Sequence, residues 1–355
     1  MAKGAALERG VHAIWRRRGL LARLLWPLAA INAVVQRLRG APRPARRLPV
    51  PVLVVGNLYV GGTGKTTLAI ALSRELQRRG WHPGVISRGH GATARLPREV
   101  DPRGLASDFG DEPLLIAQAA QVPVAIGVDR TAAGELLLRQ HRDLDLLIAD
   151  DGLQHRGLAR DCELALVDSR GLGNGWLLPA GPLRESPHRL QTVDAVVFHD
   201  QPGAPRPTVC VYTPFFTLRA ALGEVVALKD PQRRIAPAAL AAEQRSRGLR
   251  ILAAAGIGVP ERFFAMIEAA GLTIERMPLP DHYPFHDNPF AGREYDLLLV
   301  TEKDAVKCRA NPVLAADGRV CAVQLIPQID AGLFDFVETL LRAAQARTAD
   351  GSQAA

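Results

Sequence analysis

Residues 50–68, VPVLVVGNLYVGGTGKTTL, set the fold class of this 355-residue chain. Val52, Leu53, Val54 and Val55 form a short apolar run of the kind buried on both faces inside a parallel sheet. Gly61, Gly62 and Gly64 then free the backbone to curl with its N–H groups pointing inward, a nest suited to anions. Lys65 is placed to reach phosphate oxygens as a point charge, and Thr66 to set its hydroxyl on Mg2+. The helix that begins there adds the positive end of its dipole. Ala69, Leu72 and Leu76 give that helix one buried face. The first glycine of the usual P-loop pattern would fall five residues before Gly64, where Tyr59 stands. The loop therefore keeps the phosphate-touching GKT end and enters it differently; an ordinary glycine turn is the plain alternative.

Working outward, apolar segments at 84–87, 122–126, 144–149, 164–167 and 193–198 alternate with helical ones. With the first strand they predict an α/β fold: a P-loop core whose mostly parallel sheet is flanked by helices and binds ligands at the strands' carboxyl ends. The stretch QPGAPRP at 201–207 reads as a boundary, and a second α/β pattern starts at Arg250. It predicts a strand at 251–255, a helix at 261–270, strands at 272–276, 297–300 and 320–325, and a last helix at 333–347 before a polar, disordered tail.

With 48% hydrophobic residues the chain can bury a large core. Cys162, Cys210, Cys308 and Cys321 lie far apart with no CxxC pair, which argues against a disulfide framework or zinc site and for a reducing compartment. The net charge of +8 is concentrated in residues 1–47, which hold eleven Lys or Arg against Glu8 alone, so the rest is nearly neutral. A nucleic-acid binder would spread its basic patch over the folded surface. Here the basic arm carries an apolar stripe, Leu20, Leu21, Leu24, Leu25, Trp26, Leu28, Ile31, Val34 and Val35, interrupted by Arg23, Pro27 and Asn32. It falls short of the about 20 uninterrupted apolar residues a spanning helix needs. An arm lying on an anionic bilayer fits it, the alternative being a helix packed on the protein's own core. Arginines recurring after the apolar run argue against a signal peptide.

Further candidate chemistry sits on loops. The 144–149 run ends in Asp150 and Asp151, where a Walker B carboxylate would hold Mg2+; a helix N-cap is the alternative for one of the two. Asp111 and Glu112 in GDEP start a helix, so Asp111 reads as a cap or as a general base. His282 lies in a proline-bounded loop, where a surface histidine is the default. Arg184 and Glu185 stand in the loop GPLRES. Lys303 and Lys307 in TEKDAVK are one helical turn apart, as a phosphate or ribose contact or as a solvated face.

Taken in order, GNLYVGGTGKT, ISRGHG, GDEP, ADDGLQHR, LLPAGPLRE, DHYPF and TEKDAVK resemble the tetraacyldisaccharide 4'-kinases of the lipid A pathway, from about residue 12 to about residue 310. The resemblance implies ATP and Mg2+ as cofactors and a peripheral position on the cytoplasmic face of the bacterial inner membrane. It also implies transfer of the γ-phosphate to the 4'-hydroxyl of an acylated disaccharide 1-phosphate. By the same resemblance Asp111 is the catalytic aspartate and His282 its partner. Gly61, Gly62, Thr63, Gly64, Lys65, Thr66 and Thr67 bind the nucleotide's phosphates, with Lys65 also catalytic, and Asp150, Asp151 and Glu185 join Thr66 at the metal. The implied domains are an arm (1–47), a P-loop core (48–207), linker strands with a smaller α/β domain (208–325), a helix returning to the core (326–347) and a tail (348–355). Partners are then the lipid A disaccharide precursor and the anionic membrane surface, with no nucleic acid. A membrane-surface switch ATPase of the ParA or MinD type is the competing class. Its signature lysine would stand where the chain has Val60, and its membrane helix generally lies at the other terminus.

Overall fold

The structure, a computed structural model, describes residues 14–15, 17–39, 45–90, 92, 96–200, 207 and 212–349. Lys3, Arg9, Arg16 and Arg43 of the basic arm, Gly91, Cys210, the boundary at 201–206 and the tail at 350–355 lie outside the described residues.

The described residues contain thirteen strands: β1 (Val52–Asn57), β2 (Pro83–Ser87), β3 (Arg98–Glu99), β4 (Val124–Ile126), β5 (Leu146–Asp150), β6 (Cys162–Asp168), β7 (Ala195–Asp200), β8 (Phe215–Ala227), β9 (Arg234–Ile235), β10 (Ile251–Ala255), β11 (Ile274–Pro278), β12 (Leu297–Thr301) and β13 (Val320–Ile329). They join one sheet in the order β11-β10-β12-β13-β8-β7-β6-β1-β5-β2-β4-β3, with β9 beside β8. Every strand of the predicted P-loop core pairs in parallel, β1 between β5 and β6, and only the two-residue β3 runs against its neighbour. All six residues of β1 are buried, as a strand covered on both faces requires.

The second α/β pattern continues the same sheet: β8 pairs in parallel with β7 and antiparallel with β13, so one sheet runs through both halves. The two long strands have hydrogen-bonding edges on both sides, and pairing satisfies them. Boundaries also move. Residues 326–329 belong to β13, not to the final helix, which spans Ala331–Ala349 and so takes in two residues of the expected tail.

Each half has its own apolar interior. Leu68, Leu72 and Leu76 of the P-loop helix (Lys65–Arg78) pack with Leu53, Val55 and Leu166 on one sheet face. Leu333, Val337 and Leu341, spaced four apart on the final helix, join that same cluster. In the second half Phe263, Phe264 and Ile267 of the helix Pro260–Ala269 cover β10 and β12.

The N-terminal helix Leu20–Arg39 packs the other way round. Asn32 donates to the Leu178 carbonyl at 2.9 Å and Gln36 to the Arg184 carbonyl at 2.7 Å, while Ala22 and Ala29 are buried. Leu20, Leu21, Leu24, Trp26, Leu28, Ile31 and Val34 stay exposed, so the apolar stripe does not pack on the protein's own core. Among the described residues no helix is long and apolar enough to cross a membrane.

Candidate active site

The P-loop sits at the carboxyl end of β1, where the sheet's neighbouring strands diverge into loops. Its entry differs from the usual pattern because residues 58–60 are stitched to the GPLRE loop. Val60 N–H donates to the Pro182 carbonyl, Arg184 N–H donates to the Leu58 carbonyl, and Tyr59 bridges Leu183. Gly64 has φ +99°, and a Cβ there would lie 2.8 Å from His199 Nδ1, so only glycine fits. That nitrogen lies 2.8 Å from the Thr63 carbonyl; a carbonyl only accepts, so Nδ1 carries the proton.

Lys65 is buried, its Nζ 3.2 Å from Asn57 Oδ1 and 3.6 Å from Asp151 Oδ1. Arg184 Nη1 donates to both oxygens of Asp151 at 2.8 Å. Burial works against the charge of Asp151, but Lys65 and Arg184 hold its carboxyl below the usual range. Its φ of +51° and these bonds leave no capping role for it. Asp150 is completely buried, and neither of its oxygens has a hydrogen-bond partner among the described residues. Burial first, then the negative charges of Glu112 and Asp151, push it up to about 7. Arg130, itself lowered to about 10 by burial, adds positive field beside both aspartates.

Asp111 opens the helix Asp111–Ala120, but its carboxylate does not cap it; Gly110 occupies the cap position. The side chain turns across the cleft to the second half. His282 Nδ1 is 3.1 Å from Asp111 Oδ2, Lys307 Nζ 3.4 Å and Lys303 Nζ 3.7 Å. Lys303 also donates to Glu112 Oε1 at 2.9 Å. Burial alone would raise Asp111, but the His282 hydrogen bond and the two ammonium groups outweigh it and hold the carboxyl well below its ordinary value. His282 is raised in return, chiefly by its hydrogen bond to Asp111. Its backbone, at φ +56°, is held by a bond to the Gly256 carbonyl. His282 is exposed, as a surface histidine would be, but its ring is engaged by Asp111, and the reading of Lys303 and Lys307 as a solvated face is replaced, Lys307 being buried.

Lys65, Asp150 and Asp151 are gathered at one end of the sheet, with Asp111, Glu112, Lys303, Lys307 and His282 beside them. Glu185 is buried but its Oε2 faces Arg156 at 3.5 Å and Arg189 at 3.7 Å, while its Oε1 has no partner. Among the described residues no three His, Cys, Asp or Glu side chains converge as a ready-made metal cage. Spacing along the chain gave no role to Asn57, Glu112, Arg130 or Gln154. Asn57 had one signal: it is the polar end of an otherwise apolar strand.

A phosphate nest after β1, an acidic pair at the end of β5 with Asp150 fully buried, and a carboxylate facing lysines across a cleft define a P-loop phosphotransferase. The match to the family described as Tetraacyldisaccharide-1-P 4'-kinase spans residues 21–342. The chain is 47% identical over 349 residues to a tetraacyldisaccharide 4'-kinase of Herminiimonas arsenicoxydans, covering 95% of this chain and 97% of that one. It is 44% identical over 356 residues to one of Bordetella parapertussis, covering 96% and 98%. The crystal structure of an LpxK from Aquifex aeolicus in complex with ATP superposes with a TM-score of 0.75 at 26% identity, over 91% of this chain and 100% of that one. The chain belongs to the tetraacyldisaccharide 4'-kinase family, enzymes that phosphorylate the lipid A precursor at its 4' position. Nothing in these comparisons supports the switch-ATPase alternative.

Proposed function

We propose that the chain spends ATP, with Mg2+, to phosphorylate the 4'-hydroxyl of an acylated glucosamine disaccharide 1-phosphate while resting on the cytoplasmic face of the inner membrane. The relative crystallised with ATP supports the nucleotide. In this reading the amides from Gly61 to Thr67 cradle the phosphates, and Lys65 leaves Asn57 and Asp151 to meet them.

The residues present fit Mg2+, since a fully buried carboxylate with no hydrogen-bond donor is costly unless a cation or its water shell meets it. Asp150 and Asp151 with Thr66 would hold it, and the unpartnered Oε1 of Glu185 would serve from further out. Bound with the nucleotide, Mg2+ supplies neutralisation of phosphate charge.

Asp111 stays ionised and is placed to accept the proton of the acceptor hydroxyl, with His282 orienting it from the second half. A loose phosphoryl-transfer transition state asks for a positioned carboxylate more than a strong base, so its depressed pKa is compatible with this role. The Asp111–His282 contact between the two halves, beside the P-loop, is the observation that carries the proposal.

The exposed leucines of Leu20–Arg39 would enter the interface of an anionic bilayer, since the substrate's acyl chains leave it only at about 0.8 kcal/mol per CH2. The test is transfer of radiolabelled γ-phosphate to an acylated disaccharide 1-phosphate in anionic vesicles. Transfer that needs both ATP and Mg2+ is expected, and Leu24→Glu with Ile31→Glu should lower vesicle binding and lipid turnover more than basal ATP hydrolysis. Label released only as free phosphate would sink the proposal.

A further inference from the structure

Beside the P-loop, on the side away from Asp111, three charged groups form a cluster with no part in the reading above. Asp168 ends β6 with its side chain fully buried. Arg170 donates to its Oδ2 through Nε at 3.0 Å and keeps Nη2 2.8 Å from the same oxygen as an ion pair. The same guanidinium donates to the Gly62 carbonyl at 2.8 Å and lies over the Tyr59 ring, 4.3 Å from its centroid. Arg170 is thus fully engaged in holding the P-loop's outer edge.

Arg262 is different. It rises from the first turn of Pro260–Ala269 in the second half and reaches Asp168 Oδ2 with one Nη2 bond of 3.2 Å. The loop before that helix lies on the P-loop itself: a Cβ on Gly258 would be 3.8 Å from the Gly62 amide nitrogen. Two guanidiniums share one carboxylate, and the charges that act on Arg262 are chiefly those of Asp168 and Arg170. His199 on the facing strand β7 is held towards the neutral form by burial. The cluster therefore carries one positive charge in excess at the lip of a phosphate nest, and a guanidinium is the side chain best matched to phosphate oxygens.

We propose that Arg262 is a nucleotide-phosphate contact supplied by the second half, parked on Asp168 until a nucleotide's β- and γ-phosphates enter the P-loop. Asp168 then has two functions: it anchors Arg170 on the Gly62 carbonyl, and it holds Arg262 extended so that little side-chain entropy is lost on engagement. Because the residue comes from the half that also carries His282, nucleotide binding and closure over Asp111 become one event.

The inference rests on the ATP reading above, and the experiment separates the two. Affinities for ATP, ADP and AMP, each with Mg2+, are measured by competition with a fluorescent ATP analogue for the full-length protein and for Arg262→Met and Arg262→Lys. Methionine keeps the apolar stem without the charge; lysine keeps the charge without the fork. The expected result is a loss of about tenfold to a hundredfold for ATP and ADP in Arg262→Met, AMP within about twofold, and partial recovery in Arg262→Lys. A merely structural role would weaken all three nucleotides alike, or leave them alike while lowering the melting temperature, and either outcome overturns the proposal. Unchanged ATP and ADP affinity overturns it too. Failure of the unsubstituted protein to bind ATP removes the underlying reading, and the inference with it.

Discussion

The two faces of the active-site cleft are built from opposite charges. The P-loop half presents four carboxylates, Asp111, Glu112, Asp150 and Asp151, with Lys65, Arg130 and Arg184 set about the last two. The second half presents cations, Lys303, Lys307 and His282, with Arg262 further along the edge. The core of each half is apolar, built from aliphatic and aromatic side chains that pack on the sheet. The difference teaches that each half is assembled by the hydrophobic effect, whereas the cleft is closed by ion pairs. Ion pairs respond to salt, pH and an incoming polyanion, which buried leucines do not.

Removing the anion that the second half grips is the strongest way to break this picture. Asp111→Ala should lower kcat by about 10²- to 10⁴-fold with ATP affinity retained; an unchanged kcat would take Asp111 out of the chemistry. Removing the buried cation instead tests the architecture. Lys307→Met removes the buried ammonium that faces both Asp111 and Asp304 and should cost about 3–5 kcal/mol in urea unfolding, a loss below about 1 kcal/mol counting against an ionic closure.

A third substitution sharpens the comparison from the P-loop side. Because the folded protein raises Asp150 to about 7, its burial costs stability that grows as pH rises from about 4 to about 7. Asp150→Asn should therefore stabilise the nucleotide-free protein by about 1–2 kcal/mol at pH 8 and give no gain at pH 4, while abolishing Mg2+-dependent turnover.

The smallest effect is a titration. His282 is raised and Asp111 lowered, so their contact is fully present below the ordinary histidine value of about 6.5 and fades as pH rises through the raised one. At the acid end it is lost as pH falls through the depressed value of Asp111. NMR should place the His282 midpoint above about 6.5 and return it towards that value in Asp111→Asn; no change in the variant would separate the two residues.

Much of the P-loop half is legible along the chain because its signals are local. An apolar run, three glycines and an amphipathic helix fix β1 and the nest within 20 residues of each other. The same local logic does not by itself separate Leu20–Arg39 from Ala331–Ala349, two amphipathic helices of similar length. One leaves its leucines outside and the other packs Leu333, Val337 and Leu341 into the core. An apolar stripe says that a face will be covered, but not by what. Strand β8 was hidden because LRAALGEVVA suits a helix as well as a strand, and its partners, β7 and β13, lie far apart in the chain. The pairing of Asp111 with His282 spans 171 positions, so no spacing rule reaches it and only the resemblance indicated it. Glu112 was passed over for the same reason: its partner Lys303 comes from the other half.

Among the described residues the ribbon of β8 and β13 is the sheet's only passage from one half to the other, and its register slips between Val323 and Leu325. A joint two strands wide twists far more readily than the broad layers on either side. A change in the twist of that span would carry Lys303, Lys307 and His282 relative to Asp111 without disturbing either core or touching a reacting atom.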